Sequence, residues 1–150
     1  MLEKLKKNKD IINIKEVDNL IELECDKNNI LSVLKKLKEN DDFIFDQLLD
    51  ITAVDNPSRE CRFDLVYIIQ SLKKNKKLIL KTSLKENDTI ETIISVHKAA
   101  DWYERECYDL FGIEFKNHPD LRRIMTDYNF EGHPLRKDFP LTGHTEVRYD

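Results

Sequence analysis

At 150 residues the chain is the size of one domain and long enough to close a core, since domains of this length bury roughly 70% of their unfolded surface. Hydrophobic residues at 40%, charged residues at 36% and a mean hydropathy of -0.59 describe a globular protein with a densely charged surface, excluding disorder and coiled coil. A formal net charge of -4 and a pI near 5.6 exclude the cationic face that phosphate binding needs, so nucleic acid is not an expected partner.

The opening MLEKLKKNKD is basic, but the apolar IINI after it breaks off at Lys15, too short for a signal peptide or membrane span. An organellar import sequence should be rich in Arg and Ser and poor in acids, whereas Glu3 and Asp10 stand here among Lys and Asn. The chain is therefore expected to work where it is made, and any membrane association should be indirect. Residues 11–25 read as two short extended pieces, the second alternating apolar and acidic side chains through Leu20-Ile21-Glu22-Leu23-Glu24-Cys25. From Asn29 the period changes: Ile30, Leu31, Val33, Leu34 and Leu37 fall on one helical face, with Lys35, Lys36 and Lys38 on the other. This predicts an amphipathic helix ending near Asn40 that covers a sheet.

Phe43 to Val54, Arg62 to Leu72 and Lys77 to Leu84 are β-branched and aromatic runs, separated by Asp55-Asn56-Pro57-Ser58 and Lys73-Lys74-Asn75. They predict antiparallel strands. The run from Phe63 to Ile69 is apolar on both faces after Asp64, as a central strand requires. Asp88, three residues before Glu91, reads as a helix cap, and Val96, Ala99, Ala100, Tyr103, Cys107, Leu110 and Phe111 hold one stripe of the helical segment expected to follow. Gly112 then supplies the left-handed residue that ends helices. The expected architecture is α+β: a two-layer domain over residues 1–112, with a mostly antiparallel or mixed sheet covered by helices, and an extended arm over 113–150.

All three glycines, Gly112, Gly132 and Gly143, and three of the four prolines fall after the last helix, so regular structure should be sparse, yet Phe115, Leu121, Ile124, Met125, Phe130, Leu135, Phe139, Leu141 and Val147 are too many apolar groups for a disordered tail. Arg122, Arg123, Arg136 and Lys137 alternate with Asp120, Asp127, Glu131 and Asp138, which suits pairing across a protein interface. The arm reads as one that wraps a partner. Its alternative is a tail folded back on its own sheet, with the arginines pairing locally.

Chemistry-bearing patterns are few. Cys25, Cys61 and Cys107 are odd in number, far apart and without a C-x-x-C pair, as free thiols in a reducing compartment would be. His97, His118, His133 and His144 lack metal-ligand spacing, and His118-Pro119 and His133-Pro134 read as turn dipeptides. No G-x-G-x-x-G or P-loop is present. Glu104, Arg105, Glu106 and Asp109 crowd the last helix, and Asp101 with Arg105 and Arg105 with Asp109 stand four apart. An ion-pair network that fixes the helix is the expected reading, and acid–base work by paired carboxylates the alternative.

The run Trp102-Tyr103-Glu104-Arg105-Glu106-Cys107-Tyr108-Asp109-Leu110-Phe111-Gly112-Ile113 resembles the signature of the thirty-kilodalton subunit of respiratory complex I, NADH:quinone oxidoreductase. His118-Pro119-Asp120-Leu121-Arg122-Arg123-Ile124, then Gly132-His133-Pro134-Leu135-Arg136-Lys137-Asp138-Phe139-Pro140, then Glu146-Val147-Arg148-Tyr149-Asp150 resemble that family's following blocks in the same order. Two departures stand out: many relatives continue past the last block, which here ends at Asp150, and His144 occupies a position where an aromatic residue is expected.

The resemblance implies a structural subunit of the hydrophilic arm, without an active site of its own. It implies packing against the forty-nine-kilodalton subunit, with FMN, iron-sulfur clusters and quinone held by partner subunits. It also implies a peripheral position at a bacterial inner membrane on the cytoplasmic side, or at the mitochondrial inner membrane on the matrix side. As signature or interface residues it marks Trp102, Glu104, Arg105, Glu106, Asp109, Gly112, His118, Pro119, Arg122, Arg123, Gly132, Pro134, Arg136, Lys137, Asp138 and Pro140. The equivalent subunit of a membrane-bound nickel-iron hydrogenase is the near rival, and a stand-alone acid–base enzyme built on Glu104, Glu106 and His118 the distant one.

Overall fold

The computed structural model describes residues 2–121 and 132–136. A short helix α1 (Leu2–Lys6) leads into the hairpin β1 (Ile11–Val17) and β2 (Leu20–Cys25), which turns at Asp18 with φ 55. A 3-10 turn, whose first residues are held by the Asp26 carboxylate accepting from Asn28 N–H at 2.9 Å, opens helix α2 (Ile30–Glu39). The strands β3 (Gln47–Asp55), β4 (Phe63–Ser71) and β5 (Lys76–Leu84) follow, then a short strand β6 (Thr89–Glu91), helix α3 (Ala100–Phe111) and strand β7 (Glu114–Lys116).

The main sheet runs β1-β2-β5-β4-β3. Its hairpins are antiparallel, and β2 joins β5 in parallel, so the sheet is mixed. Asn75, at φ 51, makes the β4–β5 turn in the left-handed conformation that Asn tolerates well. Register sets the core. Ile51 opposes Tyr67, Tyr67 opposes Leu80 and Leu80 opposes Leu23, giving one buried row across four strands. The apolar face of α2, Ile30, Val33, Leu34 and Leu37, closes over this side of the sheet together with Leu5 of α1. β4 lies between β5 and β3, the interior position that its two-sided apolar run implies.

β3 begins four residues later than the sequence suggests, because Phe43 and Phe45 are used as buried loop residues. Phe45 N–H bonds Leu37 O at 2.8 Å, and Ile44 between them sits at φ 51. β3 is also one of the two edge strands of this sheet, and α3 lies along it closely enough for Cys107 Sγ to donate to Ile51 O at 3.3 Å. A helix laid there shields the edge from adventitious strand pairing.

The segment after Asp88 departs from the expected helix. Five of the six residues 89–94 are β-branched, and Thr89–Glu91 pairs in parallel with β7. Asp88 therefore caps no helix; it accepts from Lys85 N–H at 2.8 Å and pairs with Lys27 Nζ at 2.8 Å. Helix waits until Ala99 and Ala100 lower its cost, and starts at Ala100. Of the arm expected over 113–150, residues 113–121, which include β7, and 132–136 are described, and 122–131 and 137–150 lie outside the described residues.

Candidate functional site

The signature residues gather around α3. Its buried stripe, Ala100, Glu104, Cys107 and Phe111, has helical spacing, and Gly112 at φ 79 closes it, with Gly112 N–H donating to Tyr108 O at 2.8 Å. A helix leaves its last four carbonyls without intrahelical partners. Here residues 132–136 complete them. His133 Nδ1 donates to Asp109 O at 2.9 Å, Leu135 N–H to Leu110 O at 2.9 Å, and Arg136 Nε to Phe111 O at 2.6 Å. The guanidinium thus stands at the negative end of the helix dipole, where a cation is stabilising. The His133 and Tyr108 rings meet edge to face at 6.0 Å.

Arg136 also reaches Glu86 Oε1 at 3.5 Å and lies 5.2 Å from the Phe63 ring centre. Arg62 lies 5.3 Å from the same ring and shares Glu86 at 3.4 Å, while gripping the buried Asp55 carboxylate through Nε at 2.7 Å and Nη2 at 2.9 Å. The β3–β4 hairpin, the β5–β6 loop and the end of α3 are thereby held to one five-residue segment.

Gly112 matters for a second reason. A Cβ there would fall 2.7 Å from His133 Cδ2 and 3.0 Å from Arg136 Nη2, so the segment seats itself in the space the glycine leaves. Gly112→Ala is expected to cost about 2 kcal/mol, from left-handed strain and loss of the seat. Urea denaturation should show that cost, and hydrogen exchange should show faster exchange of the Leu135 amide. An unchanged Leu135 amide would disprove the seating.

At the other end of α3, Glu104 is fully buried and accepts from Thr92 Oγ1 and from Ile93 N–H at 2.8 Å, tying the helix to the chain after β6. Burial drives its pKa up to about 7 against those two hydrogen bonds, with Asp101 and Glu91 adding repulsion. His118 Nδ1 accepts from Asp120 N–H at 3.0 Å, which leaves Nε2 to face Asp101 Oδ1 at 3.2 Å and Glu104 Oε1 at 3.9 Å. Nε2 donates its hydrogen bond to the Asp101 backbone carbonyl at 3.4 Å, and the Asp101 Oδ1 contact is ion-pair proximity without hydrogen-bond alignment. Tyr67 is also fully buried; its hydroxyl has no hydrogen-bond partner among the described residues, and burial holds its pKa well above the ordinary range.

The expected Arg105 network is not formed. Among the described residues no ion pair joins Arg105 to Asp101 or Asp109: Asp101 turns to His118, Asp109 is fully buried, and Arg105 Nε has no hydrogen-bond partner. Trp102 stands 52% exposed. Glu106 is half-buried beside Asp50 of β3, its pKa raised by burial and by that neighbouring charge. Gly132, at φ 86, and Pro119 are exposed, and Pro134 is half-buried in the turn that presents Arg136. Arg122, Arg123, Lys137, Asp138 and Pro140 lie outside the described residues.

Asp55, Arg62, Glu86 and Thr92 belong to no motif that sequence reasoning singles out. Opposite charges flanking the 55–62 turn are the available signal for the first pair. His133 reads in the sequence as a turn residue only, because its partner lies 24 residues away.

The family model of the respiratory-chain NADH dehydrogenase 30 Kd subunit matches residues 23–145. The chain is 52% identical over 123 residues to a subunit of the NADH-quinone oxidoreductase of Cereibacter sphaeroides, covering 82% of this chain and 62% of that protein. It is 53% identical over 121 residues to the like-named subunit of Rickettsia typhi, covering 81% and 61% respectively. The chain thus spans about six tenths of the length of the curated relatives it matches. A chain in the solved structure of the membrane-bound sulfane sulfur reductase, an archaeal respiratory membrane complex, superposes with a TM-score of 0.82 at 26% identity, over 99% of this chain and 88% of that one.

Proposed function

The chain belongs to the family of the respiratory-chain NADH dehydrogenase 30 Kd subunit, and from that premise we propose that it is a non-catalytic bracket in the peripheral arm of an NADH:quinone oxidoreductase. In this reading it packs against the forty-nine-kilodalton subunit and holds neighbouring redox subunits in alignment, while FMN, iron-sulfur clusters and quinone stay with those partners. Alignment matters because electron transfer weakens steeply with distance.

The observation that carries the reading is how the signature polar groups are spent. Glu104, His133 and Arg136 direct their hydrogen bonds to the backbone of their own fold, which makes α3 and its end a rigid unit instead of an open reactive cleft. The cysteines fit the same role: burial pushes the Cys25 thiol up to about 12 and raises Cys107 as well, so neither is a ready thiolate ligand or nucleophile. No described helix is long and apolar enough to cross a membrane, in keeping with attachment through partners, on the cytoplasmic or the matrix side.

Affinity purification of the tagged full chain from its native membranes tests the proposal. The expected result is co-purification of NADH:quinone reductase subunits, with quinone reductase activity lost on deletion of the chain and restored by its return. A nickel-iron enzyme as the co-purifying partner would favour the rival hydrogenase assignment, for which the resemblance to another membrane-bound respiratory complex is the supporting observation. Turnover of a small substrate by the purified monomer would discard both.

A further inference from the structure

The turn that leads into α3 borders a groove whose polar groups the internal bracing leaves unused. Residues 93–97 fold back on themselves, with Val96 N–H and His97 N–H both donating to Ile93 O at 2.9 Å, and Ala100 N–H then donates to His97 O at 3.0 Å. His97 is only 4% exposed, and its Nε2, fully covered, has no hydrogen-bond partner among the described residues. A buried ring nitrogen left in that state lowers stability, so it stands as a group made to bond something else. His97 lines a groove of about 560 Å³, the size of a small-ligand site, with Lys38 of α2, Asp46 before β3, Leu48 and Leu49 on β3, and Lys98.

Donors collect at this groove. Lys38 Nζ donates to Val96 O, which fixes the ammonium there and leaves it two further hydrogens. Burial, with the Lys38 charge adding to it, lowers the His97 pKa to about 4 against the pull of Asp46, so near neutral pH the ring is uncharged and keeps one N–H to donate. The N–H groups of Lys98 and Ala99 have no acceptor among the described residues, and Ala99 caps α3 without a side-chain hydrogen bond, at the positive end of the helix dipole. Lys38 and Lys98 outnumber Asp46, the one carboxylate among the described residues of the groove, so a single negative charge is matched and a dianion such as phosphate is opposed by Asp46. Leu48 and Leu49 supply an apolar wall beside the donors. We propose that this groove is a carboxylate-binding site, in which the carboxylate accepts from His97 and Lys38 and its apolar stem lies along Leu48 and Leu49. Two sources carry that chemistry: a free short-chain acid, and a glutamate side chain of an adjoining subunit.

The probe is sodium butyrate, titrated at neutral pH into the 15N-labelled full chain, with n-butanol as the uncharged control of the same stem. Butyrate is expected to shift the His97 ring nitrogens and the Lys98 and Ala99 amides to saturation, while butanol leaves them in place. His97→Phe removes the ring donor and should weaken butyrate about tenfold or more, the usual effect of losing a hydrogen bond to a charged group. Its melting temperature should hold or rise, because Nε2 gives up no bond within the described fold. Lys98→Glu reverses a charge at an exposed position and should weaken butyrate about threefold, which keeps the test open if the larger ring disturbs folding.

Shifts that do not saturate, equal shifts with butanol, or equal butyrate affinity in wild type and both variants would overturn the site. Tighter binding of inorganic phosphate than of butyrate at the same residues would overturn the carboxylate. The subunits that co-purify with the chain then separate the two sources. Association weakened by both variants and by excess butyrate assigns the site to a glutamate of the adjoining subunit, and association unchanged by all three assigns it to a free acid. The assembly reading stands or falls separately, on whether the wild-type chain brings down quinone reductase subunits at all.

Discussion

Replacing Arg62 by Ala is expected to lower the stability of the fold by about 3–5 kcal/mol, the usual cost of breaking a buried ion pair by removing one partner. Asp55 is 2% exposed and Arg62 7%, and the guanidinium meets both carboxylate oxygens, at 2.7 and 2.9 Å. Removing the guanidinium takes from a buried carboxylate its two-pronged partner, and from the Phe63 ring the cation placed over it. The loss should exceed that of Arg59→Ala, although Arg59 also makes a two-pronged contact with a carboxylate, Asp64, at 3.0 and 2.8 Å. Arg59 is exposed, and water screens such pairs until little stabilisation is left. Urea denaturation of both variants separates the cases. Arg62→Lys should fall between wild type and Arg62→Ala, since it restores the charge without the fork. Joint replacement by Asp55→Asn and Arg62→Met should recover part of the loss. A cost under about 1 kcal/mol for Arg62→Ala would mean that solvent or another group relieves Asp55 and that the network is not the tie between the hairpin and the arm.

Much of the sheet is legible in the sequence because its information is local and periodic. Leu20 to Cys25 alternate with period 2, α2 repeats with period 3.6, and Asn75 falls where a left-handed turn residue is needed; in each case the residue and its reason lie within a few positions. The Asp88 cap misleads for the same reason. It is a sound local signal, but it competes with a β-branched run whose pairing partner, β7, lies some 25 residues on and cannot be seen from the window. Arg105 fails differently: the i to i+4 spacing allows its pairs, yet Asp101 has a better-placed neighbour in His118 and Asp109 is drawn inside.

The candidate site is legible as a set of residues and opaque as an arrangement. Gly112 reads correctly as a helix terminator, but the closeness of His133 and Arg136 above it depends on chain geometry across more than 20 residues. The same is true of Arg136, whose charge suggests an outward contact. Its Nε is committed to Phe111 O, so any partner contact from this segment starts from a side chain already fixed by its own fold. That commitment favours a binding surface organised before the partner arrives, which lowers the ordering cost of association.

Glu104 should make the stability of the protein depend on pH in the direction opposite to a paired surface carboxylate. Its pKa rises from 4.5 to about 7 in the folded state, chiefly through burial, so between those values the folded chain keeps a proton that the unfolded chain has released. Its contribution is therefore complete below about pH 4.5 and is lost as pH climbs through about 7, a change of roughly 3 kcal/mol for a shift of this size. The facing groups act in both senses: Asp101 and Glu91 disfavour the charged form, while Thr92 Oγ1 and Ile93 N–H favour it. Glu104→Gln keeps one acceptor oxygen for Ile93 N–H, offers its amide NH2 as a donor to Thr92 Oγ1, and removes the titration. The variant should therefore gain on wild type by roughly 3 kcal/mol as pH rises from about 5 to about 8, read from urea denaturation at each pH. Parallel pH profiles for the two proteins would show that Glu104 does not retain its proton on folding, and that the seam between α3 and the chain after β6 is built on a carboxylate already charged.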